Sequence, residues 1–187
     1  MTSITRTTRE TDIRLQIGAA EAEVRTPVPV LTHFLTSLAL TSALGLVVQA
    51  SGDIEVDPHH LIEDVGIVLG QALFESTAGY AGIERYAERT VAMDDALASV
   101  AIDLSGRSGA YLHEFPAGSV GVVATEALAE FFHGLARGGR ITLHLRMLAG
   151  ENVHHRLEAA FKALGLALRD ALQPRGDGPL STKGVIA

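Results

Sequence analysis

Apolar and polar residues alternate from Thr11 to Ile17, with Ile13, Leu15 and Ile17 on one side, and this period of two predicts a half-buried strand. Val24 to Val30 reads as a second strand or an irregular segment, because Pro27 and Pro29 would interrupt a ladder. The period then lengthens. Leu31 to Ala43 reads as a helix, and Leu46 to Ile54 as a strand with Gly52-Asp53 near its end. Asp57-Pro58 opens another helix, with Asp suited to the N-cap and Pro to the first helical position, running to about Ser76. The same order then recurs. Ala96 to Leu104 is a strand closed by Ser105-Gly106, and Tyr111 to Phe115 is a further one. Thr125 to Ala136 is helical by period, with Arg137-Gly138-Gly139 expected to break it. Ile141 to Arg146 alternates as a strand, and Asn152 is the expected N-cap of a last helix that ends before Pro174. The segment Pro174 to Pro179 is rich in turn residues.

Each half therefore reads as strands, helix, strand, helix. The expected fold class is α+β: internally duplicated halves, each a mixed or antiparallel sheet covered on one face by helices, related by pseudo-twofold symmetry. At 187 residues this suits one domain spanning 1–187, with internal repeats of about 1–90 and 91–187.

The duplication is explicit in one motif. His59-His60-Leu61-Ile62-Glu63 returns 95 positions later as His154-His155-Arg156-Leu157-Glu158. Leu69-Gly70-Gln71-Ala72-Leu73 matches Leu164-Gly165-Leu166-Ala167-Leu168 at the same offset. On a helix, the first histidine and the glutamate of each copy are i,i+4 neighbours, and the second histidine and the glutamate are i,i+3 neighbours. Neutral imidazole and carboxylate are good ligands for a divalent transition metal. The two histidines diverge by one helical step, so one helix can serve two metals. A single copy is as readily a solvated helix start; two copies with identical spacing favour metal sites.

Composition narrows the classes. Apolar residues make up 47% of the chain, enough for a substantial core, while aromatics at 5% and the absence of Trp point to an interior packed with Ala, Leu and Val. A net charge of −7 argues against binding nucleic acid through a broad basic surface. With no cysteine, any metal has nitrogen and oxygen ligands, and the chain suits a cytoplasmic setting. Val28 to Ala50 is rich in Leu and Val, but Pro29, His33 and several Ser and Thr interrupt it, so no membrane span is expected.

Asp57-Pro58-His59-His60-Leu61-Ile62-Glu63-Asp64, followed by Gly70, resembles the first metal motif of the imidazoleglycerol-phosphate dehydratase family. Gly150-Glu151-Asn152-Val153-His154-His155-Arg156-Leu157-Glu158, followed by Phe161-Lys162-Ala163, resembles the second. Thr8-Arg9-Glu10-Thr11, Met93-Asp94-Asp95-Ala96-Leu97, Asp103-Leu104-Ser105-Gly106-Arg107 and Ser181-Thr182-Lys183-Gly184 agree with the family in order and spacing. The resemblance implies a lyase of histidine biosynthesis. Such an enzyme removes water from imidazole glycerol phosphate to give imidazole acetol phosphate, through a metal-stabilised imidazolate. It also implies two manganese ions per site and a homo-oligomer of 24 subunits with sites between chains.

Carried over by motif, Glu10 and Asp94 are the expected catalytic carboxylates. Arg85, Arg107, Lys162, Ser181 and Lys183 are the expected phosphate contacts, arginine offering a bidentate fork and lysine a point charge. His33, His59, His60, Glu63, His154, His155 and Glu158 are the expected metal ligands, with Glu130 at a position where some members carry histidine. Read alone, Glu10 is an exposed charge at a strand start, and each cation is a solvated surface residue. The pattern departs from the family at Phe34, Thr36 and Thr41, in a stretch that lines the substrate there, and at Asp94-Asp95, where Asp-Glu is usual. These departures admit two other readings: a paralogue acting on another azole, or an inactive metal-bound shell protein. His113 reads as a strand surface residue, and His144 faces away from Leu143 and Leu145.

Overall fold

The computed structural model describes residues 1–176 and 178–186; Asp177, inside the turn-rich Pro174 to Pro179 segment, and Ala187 lie outside the described residues. The first half runs β1 (Thr2–Thr7), β2 (Thr11–Ile17), β3 (Glu23–Arg25), α1 (Pro29–Ser42), β4 (Val47–Gly52) and α2 (His59–Ser76). The second runs β5 (Tyr86–Met93), β6 (Ala96–Asp103), β7 (Gly109–His113), a short β8–β9 hairpin (Ser119–Val120, Val123–Ala124), α3 (Thr125–Gly139), β10 (Thr142–Ala149) and α4 (Val153–Ala171). The sheets have orders β1-β2-β4-β3 and β5-β6-β10-β7. In both, the first three strands pair antiparallel and the last pairs parallel. The expected α+β duplication is therefore present strand for strand.

The expected Thr11 to Ile17 strand forms with those bounds, and its alternation places Ile13, Leu15 and Ile17 in the core. The repeat period is not constant. Thr11 and Ala96, which open β2 and β6, are 85 positions apart, whereas the histidine motifs are 95 apart. The difference is taken up between β7 and α3, where the β8–β9 hairpin has no counterpart in the first half.

Two strands lacked a sequence signal. β1 turns Thr2, Ile4 and Arg6 toward a half-buried side, and β5 buries only Ala87, Val91 and Met93 in part. Both are edge strands, whose pattern is weak because one flank has no neighbour.

The expected break at Arg137-Gly138-Gly139 does not occur: α3 continues through Gly139 and ends at Arg140, which is left-handed at φ +52°. These glycines serve close approach rather than termination. A Cβ on Gly138 would lie 2.1 Å from the Ile67 carbonyl oxygen, and one on Gly134 2.5 Å from that of Glu63. Gly66 and Gly70 of α2 meet α3 in the same way, at 2.3 Å from the Phe131 oxygen and 2.3 Å from the Gly139 nitrogen. Helix α2 thus lies backbone to backbone on α3, while α1 packs on α4. Each helix covers its own half's sheet and takes its helical partner from the other half. Phe34, Phe131, Phe132 and Phe161, all fully buried, form the aromatic centre where α1, α3 and α4 converge.

Candidate functional site

Helix α4 begins as its sequence predicts. The Asn152 side chain accepts hydrogen bonds from the backbone N–H groups of His154 and His155, which fixes the first turn. Glu158 then falls one turn below His154, and its carboxylate is only 10% exposed. Its Oε2 lies 3.2 Å from His154 Nε2 and 3.1 Å from His33 Nε2, the latter delivered across the helix pair by α1. The other oxygen accepts from Lys162 Nζ at 2.7 Å. Burial pushes the Glu158 carboxyl up, but the hydrogen bonds from Lys162 and His33 outweigh it and hold it down at about 2. His33, His154 and Glu158 each offer one ligand atom within 4.8 Å of the others. Two imidazole nitrogens and one anionic oxygen facing a single point are a fitting donor set for a divalent metal.

The start of α2 uses the same residue types differently. Helix α2 begins at His59 with Pro58, rather than the expected Asp57, at the N-cap, and the Asp57 side chain accepts from the His59 N–H at 2.8 Å. His60 donates its Nδ1–H to Asp53, 3.1 Å away, and Glu10 lies 3.8 Å from the same nitrogen. The hydrogen bond to Asp53 raises the His60 pKa, working against burial and helped by Glu10. Because a carboxylate only accepts, Asp53 holds the proton on Nδ1 and leaves Nε2 as the free donor atom. Glu10, Asp53 and His60 form the second group with ligand atoms within 4.8 Å. His59, Glu63 and Glu130 do not close into a third such group among the described residues: Glu63 is paired with Arg137 of α3 at 2.5 Å.

His155 repeats the His60 arrangement from a different source. Its Nδ1 donates to Asp95 at 2.7 Å, and Nε2 lies 3.6 Å from Asp94. The other Asp95 oxygen accepts from the backbone N–H groups of Glu151 and Asn152, so one side chain ties the β5–β6 turn to the head of α4. These bonds, led by that from His155, hold Asp95 well below the usual carboxylate range.

Glu10 and Asp94 therefore occupy corresponding hairpin turns, β1–β2 and β5–β6, and each sits beside the second histidine of its half. The Glu10 turn is built by Thr8, whose hydroxyl accepts from the N–H groups of Glu10 and Thr11. Thr11 and Arg6 both donate to Asp64, which is buried on α2, and this anchors the hairpin to the helix. Both turn carboxylates are exposed, at 54% for Glu10 and 69% for Asp94.

Four of the five expected phosphate contacts share one cavity of about 620 Å³: Arg85, Arg107, Ser181 and Lys183 line it. Lys162 lies elsewhere, bonded to Glu158. Sequence reasoning missed Asp53, Asp64, Asp95 and Asp103. Each works by binding another side chain, and no local spacing announces such pairs. Phe34 stacks on Phe161 in the core, and Thr41 donates to the Ser37 and Leu38 carbonyls beneath Gly165. Thr36 is exposed and donates to the Thr32 carbonyl.

Comparison with known proteins gives one family throughout. The family model described as imidazoleglycerol-phosphate dehydratase matches residues 26–168. The enzyme of that name from Desulforudis audaxviator is 48% identical, over 98% of this chain and 96% of its own length. The one from Geobacillus is 47% identical, over 98% and 97%. The crystal structure of the Pyrococcus furiosus protein superposes with a TM-score of 0.87 at 41% identity, covering 97% of this chain and 99% of that one. Matched along nearly its whole length in sequence and in fold, the chain belongs to the imidazoleglycerol-phosphate dehydratase family of hydro-lyases.

Proposed function

We propose that the protein dehydrates imidazole glycerol phosphate to imidazole acetol phosphate in histidine biosynthesis, with two manganese ions per site and sites formed between subunits of a 24-subunit homo-oligomer. The observation that carries this reading is the repeated pairing of a hairpin carboxylate with the second histidine of each motif, Glu10 with His60 and Asp94 with His155. His33, His154 and Glu158 would hold one metal, and His59, His60, Glu63 and His155 supply further ligands, with Glu130 on α3 in reserve. When bound, the metal draws electron density from the imidazole ring and acidifies the adjacent C–H bond.

The chain's own residues then move the protons. Glu10, exposed at its turn, takes the proton from the carbon next to the ring. The proton taken by Glu10 is then delivered to the hydroxyl, on the side assigned to Asp94, and the hydroxyl leaves as water. The enol that remains becomes the ketone. Arg107, Ser181 and Lys183 hold the phosphate in the basic cavity, so a chain with a net charge of −7 can bind an anion locally. Lys162 keeps Glu158 ionised. The two alternative readings draw no support from Phe34 and Thr41, which pack α1 against α4.

A dehydratase assay on the purified protein loaded with manganese, following the enol and ketone product, tests the proposal. Turnover that disappears on chelation is the expected result. A protein that keeps its manganese and leaves the substrate intact would overturn it.

A further inference from the structure

Lys162 stands apart from the other expected phosphate contacts, and what it touches joins two parts of the site. Its Nζ donates to Glu158 Oε1 at 2.7 Å, one turn back along α4. It also donates to Met93 Sδ at 3.5 Å, across the packing of α4 on β5. Glu158 keeps its other oxygen for His33 and His154. Met93 pairs with Ala96 and closes the turn that holds Asp94, whose backbone is left-handed at φ +49°. One thioether therefore touches the cation on the closed ligand group and directly precedes the turn carboxylate.

The chain has three methionines. Met147 is buried and Met1 is open to solvent, while Met93 is partly buried at the end of its edge strand. A thioether is a weak acceptor, so beside a carboxylate it adds little to holding an ammonium. An aliphatic side chain of the same volume would pack there as well. What the thioether offers in addition is a sulfur that can be oxidised and reduced again.

We propose that Met93 is an oxidation site whose sulfoxide draws Lys162 away from Glu158, weakening metal binding and turnover at the head of α4. A peroxide supplies the oxygen. A sulfur lone pair attacks one peroxide oxygen, the O–O bond breaks, and the other oxygen leaves as water with both protons. The sulfur loses two electrons and the peroxide gains them. The new oxygen is a polar acceptor on a sulfur 3.5 Å from Nζ, and it competes there with Glu158 Oε1. Reduction restores the thioether and with it the bond from Lys162 to Glu158. The oxidation stands on contacts within the chain, and its effect on turnover rests on the dehydratase reading.

Hydrogen peroxide on the intact manganese-loaded protein is the probe. Peptide mass spectrometry reads each methionine, and competition with a chelator, once the peroxide is removed, reads manganese affinity. Met93 and Met1 should gain oxygen while Met147 stays a thioether. As the Met93 sulfoxide accumulates, manganese affinity should fall about tenfold, as when an outer partner of a metal ligand is lost, and turnover should fall with it. Methionine sulfoxide reductase should return both to their starting values, which oxidative unfolding would not allow. In Met93→Leu, peroxide should take nothing further from either readout, whatever the variant's own starting level. If that variant fails to fold, repair by the reductase carries the test in the parent. A Met93 that stays reduced while Met1 is oxidised would overturn the proposal. So would a complete Met93 sulfoxide with unchanged manganese affinity, or equal losses in Met93→Leu. Reversible loss of manganese affinity in a parent that never turned over imidazole glycerol phosphate would sink the dehydratase reading and leave the oxidation site standing.

Discussion

The heads of α2 and α4 carry the same three side chains in the same spacing and put them to different use. On α4, His154 and Glu158 meet His33 from α1, and the glutamate is buried and ionised. On α2, Glu63 meets Arg137 from α3, a cation where a third ligand would be needed. Duplication fixed the spacing along the helix. The partner helix from the other half decides whether the group closes. The second histidines show the converse. His60 and His155 both donate Nδ1 to an aspartate, but Asp53 follows β4 while Asp95 lies in the β5–β6 turn. One chemical arrangement is reached from two non-equivalent positions, so it was built separately in each half.

The largest expected effect separates the two hairpin turns. Glu10→Gln keeps the size and much of the hydrogen bonding but cannot accept a proton as a carboxylate does. Turnover should fall by about 10²–10⁴-fold, with manganese content and particle size unchanged in elemental analysis and light scattering. Wild-type turnover in this variant would remove Glu10 from the mechanism.

Next comes the closed group. Glu158→Gln takes away the charged acceptor shared by His33, His154 and Lys162. Manganese affinity should drop by about 10–100-fold or more, measured by titration with a metal-sensitive dye. Manganese binding to the parent should show two classes of site, and this variant should lose the tighter one. A single uniform class would mean that the difference between the helix heads vanishes once metal binds.

A smaller effect appears with pH in the metal-free protein. The Glu158 pKa is depressed in the folded state, from an ordinary 4.5 to about 2. Its contribution to stability is therefore complete above pH 4.5 and is lost as pH falls toward 2. Urea unfolding with chelator across that window should show a steeper decline in the parent than in Glu158→Gln. Parallel curves would mean that the folded carboxyl titrates normally.

The smallest concerns Arg137. Removing it with Arg137→Ala frees Glu63 from an exposed ion pair worth about 0.5–1 kcal/mol. The weaker manganese class should tighten by only about two- to fivefold, on the same titration. No change would show that Arg137 already moves aside in the parent.

What could be read in the sequence divides along the same line. Elements with a buried face announced themselves: Ile13, Leu15 and Ile17 on β2, or the capped start of α4 at Asn152. The ligand pairs within one helix did so too, because helical spacing is fixed. The edge strands β1 and β5 did not, having little apolar alternation to show. Gly138 misled, because a glycine required by the approach of the Ile67 carbonyl looks the same in sequence as one that ends a helix. The union of His33 with Glu158 spans 125 positions, and the Arg85–Asp103–Leu180 chain joins the residue before β5, the end of β6 and the tail. Such contacts are products of topology: family resemblance alone supplied His33 and Arg85, the repeated motif had supplied Glu158, and nothing announced Asp103 or Leu180.

The exchange of helix partners bears on how the halves can exist. Within the first half, α1 and α2 scarcely meet, since α1 packs on α4 and α2 on α3. Cut away, that half would expose the faces its partners cover, at Phe34, Leu38 and Thr41 on α1 and at Gly66, Ile67 and Gly70 on α2. It could cover both only by meeting a second copy, α1 of each against α2 of its mate, in a closed twofold pair. Its unfolding midpoint would then rise with protein concentration, whereas joining the halves in one chain makes this internal pairing independent of dilution.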